Sequence, residues 1–181
     1  KLKSIKFEEN SKLNRIGKEC FRGTIITDIK LPTTVEYCHF SNTKVKTVSF
    51  DGGCGSLLRV SNFQFSQITE FCIPSSATHI GKCAFLECGN LSVVKVADIN
   101  NSKLEIIKKR AFLGCSSLKE FEIPKTVHSF GFESFKDCTQ LKSKICLNIP
   151  DKIVHVFKSA FENTGIISFE SECDDIFLYD C

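Results

Sequence analysis

The sequence of 181 residues contains no tryptophan and no methionine, and only two tyrosines. It also has no apolar run near the roughly 18 residues that a membrane-spanning helix needs, so no membrane insertion is expected within this segment. The first residues, KLKSIKF, include neither a methionine nor the apolar core of a signal peptide. We therefore expect the segment to be a mature form or a fragment of a longer protein.

A strong charge of one sign is missing as well. The 24 basic and 21 acidic residues give a net charge of +3, which is too small to indicate nucleic-acid binding, so no nucleic-acid partner is expected. The sequence has no glycine-rich phosphate loop and no nucleophile elbow, and nothing assigns a nucleophile, a base and an orienting group. It therefore predicts no enzyme activity, no catalytic residues and no cofactor.

Phenylalanine, by contrast, is abundant, with 17 copies. Seven of them have an apolar residue five positions earlier, in the pairs Ile16/Phe21, Val35/Phe40, Leu58/Phe63, Ile80/Phe85, Ile107/Phe112, Phe130/Phe135 and Val156/Phe161. Successive phenylalanines are 19, 23, 22, 27, 23 and 26 residues apart. This recurrence indicates a repeat protein.

The residues that follow each phenylalanine predict how the repeats fold. Each copy leads into a short stretch, such as ITEFCI or LKEFEI, whose last apolar residues alternate with outward residues as in a strand. All four prolines come directly after such a stretch, where no further ladder donor is needed. One unit cannot bury its own strand and phenylalanine, but stacked units can. The sequence therefore predicts a curved array of about seven and a half coils with a parallel sheet along one face.

The stretches FCIPSSATHIGKCAFLECGNL and FEIPKTVHSFGFESFKDCTQL resemble the BspA-type, or Treponema pallidum class, leucine-rich repeat. The resemblance extends from residue 1 to about residue 170, although the turn at 51–57, DGGCGSL, departs from it. It implies a leucine-rich repeat solenoid with short parallel strands on one side and short helical or 3-10 segments on the other. The expected organisation is a single domain over 1–181, with 170–181 as a C-terminal cap or truncated repeat. Family members are typically cell-surface or secreted proteins that resemble adhesins, and no catalytic residues come with the family.

The eleven cysteines are odd in number, so they cannot all pair within one chain. Cys88, Cys115 and Cys138 share one repeat column, which could be a ladder of reactive thiols or metal ligands. Threonine or serine takes that place in the other four copies, which favours a small buried filler. His79 with Cys83 and Cys88 is the best local cluster for zinc, but zinc needs four converging ligands, so no metal site is predicted.

The remaining cysteines give few pairing options. Cys72 and Cys146 are expected on the open strand face, but in strands that belong to coils too far apart for a disulfide. Cys20 and Cys38 precede the phenylalanines of neighbouring coils and could meet.

Two features would fit an extracellular location. Cys173 and Cys181, in CDDIFLYDC, could close a terminal loop by a disulfide. N-glycosylation sequons occur at Asn90 and at Asn100, and the second lies in an enlarged turn that should be exposed.

The open strand face is the best candidate for binding, because solenoids bind on extended repetitive surfaces. Outward residues of the first three strands carry four positive charges and one negative charge, and those of the next three carry two positive and three negative. The candidate residues are Lys6, Lys30, Lys46, Glu70, Lys95, Glu120 and Glu122. A merely solvated face is the alternative, since no aromatic anchor accompanies these residues.

Two functions follow from these observations. The first is a non-enzymatic binding module, at the cell surface or secreted, that engages a protein or glycan of unknown identity through its strand face. The alternative is an intracellular, cytoplasmic structural or scaffolding repeat protein packed in a larger assembly, which the many cysteines favour. The sequence indicates no oligomeric state.

Overall fold

The computed structural model describes residues 1–51, 53–55, 57, 59–142, 145–146, 154–166, 169–170 and 176–178. Within these ranges the chain forms thirteen strands of two to four residues, and the strand pairings are parallel. No helix occurs there that could cross a membrane. The strands form two rows along a solenoid, of which the sequence predicted one.

The first row corresponds to the extended stretches predicted from the sequence. It comprises β1 (Asp28–Leu31), β2 (Thr47–Phe50), β4 (Glu70–Ile73), β6 (Val93–Val96), β8 (Glu120–Phe121), β10 (Ile145–Cys146) and β12 (Phe169–Glu170). The strands pair as β1–β2, β4–β6–β8 and β10–β12. Side chains in β1, β2 and β4 alternate between buried and more exposed positions. The predicted strand face is therefore confirmed.

A second row forms a continuous six-stranded sheet in the described residues. Its strands are β3 (Arg59–Val60), β5 (His79–Ile80), β7 (Ile106–Ile107), β9 (Ser129–Phe130), β11 (Val154–Val156) and β13 (Ile176–Leu178). The coils of Phe21 and Phe40 add only an isolated bridge between Arg15 and Tyr37. The continuous sheet of the second row thus has six strands among the described residues, fewer than the predicted seven and a half coils.

The register of this sheet corrects one predicted core position. Val60 pairs with Ile80, so Val60 occupies the column that the sequence pattern gave to Leu58. The segment from Val60 to Phe63 is correspondingly shorter than the one from Ile80 to Phe85. Leu58 lies outside the described residues.

Seven phenylalanines stack along the solenoid and form the centre of the core. Ring centroids of successive members lie 5.3, 5.7, 5.2, 5.2, 5.0 and 5.4 Å apart, from Phe21 through Phe40, Phe63, Phe85, Phe112 and Phe135 to Phe161. Their planes are nearly parallel, with angles between 8° and 26°. Each coil therefore contributes one stacked phenylalanine ring to the core, as predicted.

The side of each coil around the phenylalanine contains turns instead of the predicted helical or 3-10 segments. In one coil Cys83 and Glu87 both have a φ of 56°, in the left-handed region. The N–H groups of Cys83, Phe85 and Glu87 donate to carbonyls of the next coil at 3.1, 2.7 and 2.8 Å. The N–H groups of the residues between them donate within their own coil. In a helix, all these N–H groups would donate to carbonyls of their own coil. Here every second N–H group forms a hydrogen bond that links its coil to the next.

Candidate functional site

All seven side chains predicted to bind on the strand face are exposed: Lys6, Lys30, Lys46, Glu70, Lys95, Glu120 and Glu122. Glu70, Val93 and Glu120 are register partners in β4, β6 and β8, and Lys95 pairs with Cys72. The structure thus brings Glu70, Lys95 and Glu120 onto one sheet. Lys30 lies on the separate β1–β2 pair.

Charged residues at the N-terminal end of the strand face already have partners in the chain. The ammonium group of Lys30 lies 2.8 Å from a carboxylate oxygen of Asp51. Asp28 accepts hydrogen bonds from the hydroxyls of Thr27, at 2.6 Å, and of Thr47, and these bonds lower the pKa of its carboxyl group. This end therefore carries less unpaired positive charge than the sum over the sequence indicates.

A disulfide that the sequence analysis missed lies on the strand face. Cys72 is bonded to Cys54, 18 positions earlier, with their Cα atoms 5.6 Å apart. Cys54 belongs to the turn that departs from the repeat. The turn requires glycine at position 55. The φ there is 76°, and a Cβ atom would lie 2.5 Å from the Phe50 ring. The glycine-rich DGGCGSL stretch was the available signal, but its partner could not be identified without the fold.

The disulfide borders a small cavity of about 200 Å³ on the strand face. Val48, Phe71 and Val93 supply apolar lining, and Glu70 and Lys95 supply opposite charges. The volume suits a single side chain or a few water molecules. Two of the predicted binding residues thus share one small cavity.

The cysteine column is buried, as predicted. Cys88, Cys115 and Cys138 have no exposed surface. Burial raises the pKa of Cys138 to about 12 and that of Cys115 well above its usual value. Each thiol donates to a phenylalanine carbonyl in the preceding coil, at 3.0, 3.1 and 3.1 Å, with Phe63, Phe85 and Phe112 as acceptors. A protonated, buried thiol is inert, so this column is part of the core.

Cys20 and Cys38, which were expected to be able to meet, are not bonded to each other. Cys38 is buried, and burial raises its pKa to about 12, whereas Cys20 is exposed. Their side chains therefore occupy different environments. The predicted pair of Cys173 and Cys181 lies outside the described residues.

The local zinc candidates do not form a common site. Cys88 is committed to the core, Cys83 is partly exposed, and Nδ1 of His79 lies 2.7 Å from the Thr78 hydroxyl. Across the described ranges, no three His, Cys, Asp or Glu side chains are grouped to hold a metal ion.

The two sequons lie on the surface. Asn90 and Asn100 are both exposed. The backbone N–H of Asn100 donates to the Asp98 carboxylate at 3.2 Å, within the enlarged turn after β6. Modification of either asparagine remains a prediction.

A second surface, the polar groove, was not identified from the sequence. It is an open depression of about 840 Å³ beside the start of the strand face. Its lining residues are Lys46, Gln67, Thr69, Asn90, Ser92, Ser116, Ser117, Lys119, Thr139 and Gln140. Four of these residues directly precede the inward aliphatic residue of successive coils: Gln67, Asn90, Ser117 and Gln140. That shared repeat position was the signal in the sequence.

Comparison with known proteins identifies the repeat family of the chain. The family model for the BspA type leucine rich repeat region matches six copies over residues 1–102 and 56–176. Among solved structures, the pneumococcal vaccine antigen PcpA is similar with a TM-score of 0.60 and 28% identity, over 72% of this chain and 35% of that chain. The chain thus spans about a third of that antigen.

Two further solved structures are similar at lower scores. A Treponema pallidum leucine-rich repeat protein has 18% identity and a TM-score of 0.43, over 81% of this chain and 76% of that chain. A leucine-rich repeat protein from Bacteroides ovatus has 20% identity and a TM-score of 0.42, over 92% of this chain and 60% of that chain. No protein with a curated description matches significantly.

Proposed function

Because the chain belongs to the BspA-type leucine-rich repeat family, we propose that it is a non-enzymatic binding module that engages a protein or glycan through its strand face. The observation that carries this proposal is the exposure of all seven predicted side chains, four of which lie in strands of the first row: Lys30, Glu70, Lys95 and Glu120. Extended surfaces of this kind are what solenoids use for binding.

We place this module at the cell surface or in a secreted protein. The Cys54–Cys72 disulfide supports that location, because disulfides persist in oxidising compartments. The similarity to a pneumococcal vaccine antigen supports it as well. The cysteines that favoured an intracellular scaffold include three buried thiols of the core column, which are compatible with either location.

Charge reversal on the strand face tests the proposal. We expect the triple variant Lys6→Glu, Lys30→Glu and Lys95→Glu to bind immobilised matrix proteins about tenfold or more weakly than the unmodified chain, because rim charges steer and orient partners. Surface plasmon resonance measures the change.

The control reverses three exposed lysines away from the strands, Lys82, Lys103 and Lys125, so that the net charge changes equally. It should bind like the unmodified chain. Equal losses in both variants would indicate a general charge effect, and full binding by the strand-face variant would exclude this face.

A further inference from the structure

We propose that the polar groove binds an acidic polysaccharide. This inference rests on the proposed binding function, and it specifies the class of ligand and the part of the surface that receives it. Four observations support it: the composition of the groove, its free hydrogen-bonding groups, its repeat spacing and its charge.

The composition of the groove differs from that of the rest of the surface. Eight of its ten lining residues have uncharged hydroxyl or amide side chains, and the other two are lysines. The lining contains neither a carboxylate nor an apolar side chain, although the chain has 21 acidic residues. Such a surface offers hydrogen bonds and positive charge without an apolar anchor.

Much of this hydrogen-bonding capacity is available to a ligand. Gln67, Asn90 and Gln140 are exposed, and their side-chain amides have no hydrogen-bond partner among the described residues. The hydroxyl of Ser92 donates to the Thr69 carbonyl at 3.0 Å, which leaves its oxygen free to accept. Amides that both donate and accept suit sugar hydroxyls, which do the same.

The spacing of these groups suits a linear polymer. Gln67, Asn90, Ser117 and Gln140 occupy the same repeat position in four successive coils. Neighbouring coils in a parallel stack lie about 4.8 Å apart. One ring of an extended polysaccharide has about this length, so each coil could contact one sugar.

The two lysines give the groove its charge preference. Lys46 and Lys119 belong to one column, in which the N–H groups of Thr69, Ser92 and Lys119 each donate to the carbonyl of the preceding member. They are therefore three coils, or roughly 14 Å, apart. Two separated cations in a lining that contains no carboxylate favour a chain whose acidic groups recur every few sugars.

Other polymers fit this surface less well. Protein partners usually insert apolar or aromatic anchors, and the groove has no apolar pocket for one. Single-stranded nucleic acid needs aromatic stacking surfaces and more numerous cations. The groove lining supplies no aromatic ring.

The test uses the whole chain produced in bacteria, so that Asn90 carries no glycan. Calorimetry measures its binding to hyaluronan and heparin, with dextran as a neutral polysaccharide and polyglutamate as an acidic peptide. We expect at least one acidic polysaccharide to bind, and dextran and polyglutamate to bind poorly. The groove variant Gln67→Ala, Asn90→Ala and Gln140→Ala should bind about tenfold or more weakly, through loss of three amides.

A matched control replaces polar side chains outside the groove, with Asn14→Ala, Thr33→Ala and Gln64→Ala. It should bind like the unmodified chain, and both variants should keep the same thermal midpoint. Lys119→Gln should reduce the salt dependence of binding. Unchanged binding by the groove variant, or equally tight binding of polyglutamate, would overturn the inference.

The result also separates this inference from the proposed function. If no polysaccharide binds but a matrix protein binds in a way that needs the strand-face lysines, the inference fails and the proposed function stands. If neither class of partner binds, both fail.

Discussion

At the scale of single residues, the column after each phenylalanine needs a small hydrogen-bond donor. The thiol of Cys115 donates to the preceding coil. In other copies the hydroxyls of Thr24, Thr43 and Thr164 donate to the phenylalanine carbonyl of their own coil, at 2.8, 2.6 and 2.9 Å. The residue type therefore decides whether the bond joins two coils or closes one turn. Both residue types meet the requirement, which explains why cysteine occupies this column in three copies and threonine or serine in four.

Ser134 lies in a different column, just before the repeated phenylalanine, where no donor is needed. It is fully buried, and its hydroxyl has no hydrogen-bond partner in the described structure. The equivalent position, just before the phenylalanine, is alanine in other copies, at Ala84, Ala111 and Ala160. We expect Ser134→Ala to raise the free energy of unfolding by about 1 kcal/mol, because it removes an unpaired buried hydroxyl.

Urea unfolding measures this difference. The reverse substitution Ala111→Ser serves as the control and should destabilise by a similar amount. A lower midpoint for Ser134→Ala would mean that the hydroxyl has a partner in solution.

At the scale of elements, some features could be predicted from the sequence and others could not. The first row of strands was predictable because its apolar residues recur in register with the repeat. The second row was not, because two-residue strands such as Ile106–Ile107 carry no periodicity and are defined by pairing across coils. The turns were not predictable either, since left-handed residues such as Glu87 are disfavoured locally and are held by neighbouring coils. The polar groove was missed because its residues come from separate coils.

A substitution at Gly131 tests how closely neighbouring coils approach each other. A Cβ at this position would lie 2.5 Å from the backbone nitrogen of Lys109 in the preceding coil. We expect Gly131→Ala to lower the free energy of unfolding by about 1–3 kcal/mol through overpacking. Urea unfolding again provides the measurement.

Gly17 occupies the same repeat position, but there a Cβ would meet only the Cys20 sulfur, at 3.7 Å. Gly17→Ala should therefore leave stability nearly unchanged. Similar losses for both glycines would indicate an effect of backbone freedom instead of close approach.

At the scale of the whole molecule, stability depends on contacts between neighbouring coils. Each coil completes the hydrogen bonds and the phenylalanine stack of the next, so an inner coil is supported on both sides and an end coil on one. The strand face and the polar groove both extend across several coils. Their geometry therefore depends on the register of the whole stack.

Amide hydrogen exchange can test this dependence. The N–H of Ile16 donates to the Tyr37 carbonyl at 2.8 Å, and that of Phe85 to the Ala111 carbonyl at 2.7 Å. Although these bonds have similar lengths, we expect Phe85 to exchange much more slowly, because end coils open first. Mass spectrometry of overlapping peptides gives both rates. Equal protection would indicate that the described coils unfold as one unit.

The turn-side hydrogen bonds also have one direction along the array. The N–H groups of Phe40, Phe63, Phe85, Phe112 and Phe135 all donate towards the following coil, to the carbonyls of Asn62, Ala84, Ala111, Ser134 and Ala160. Their peptide dipoles therefore align head to tail, with the carbonyl groups directed towards the preceding coil. At the start of the strand face the N–H groups of Thr69, Ser92 and Lys119 donate in the opposite direction, to the preceding coil. The dipoles on these two sides of the solenoid are consequently antiparallel, and their long-range fields oppose each other.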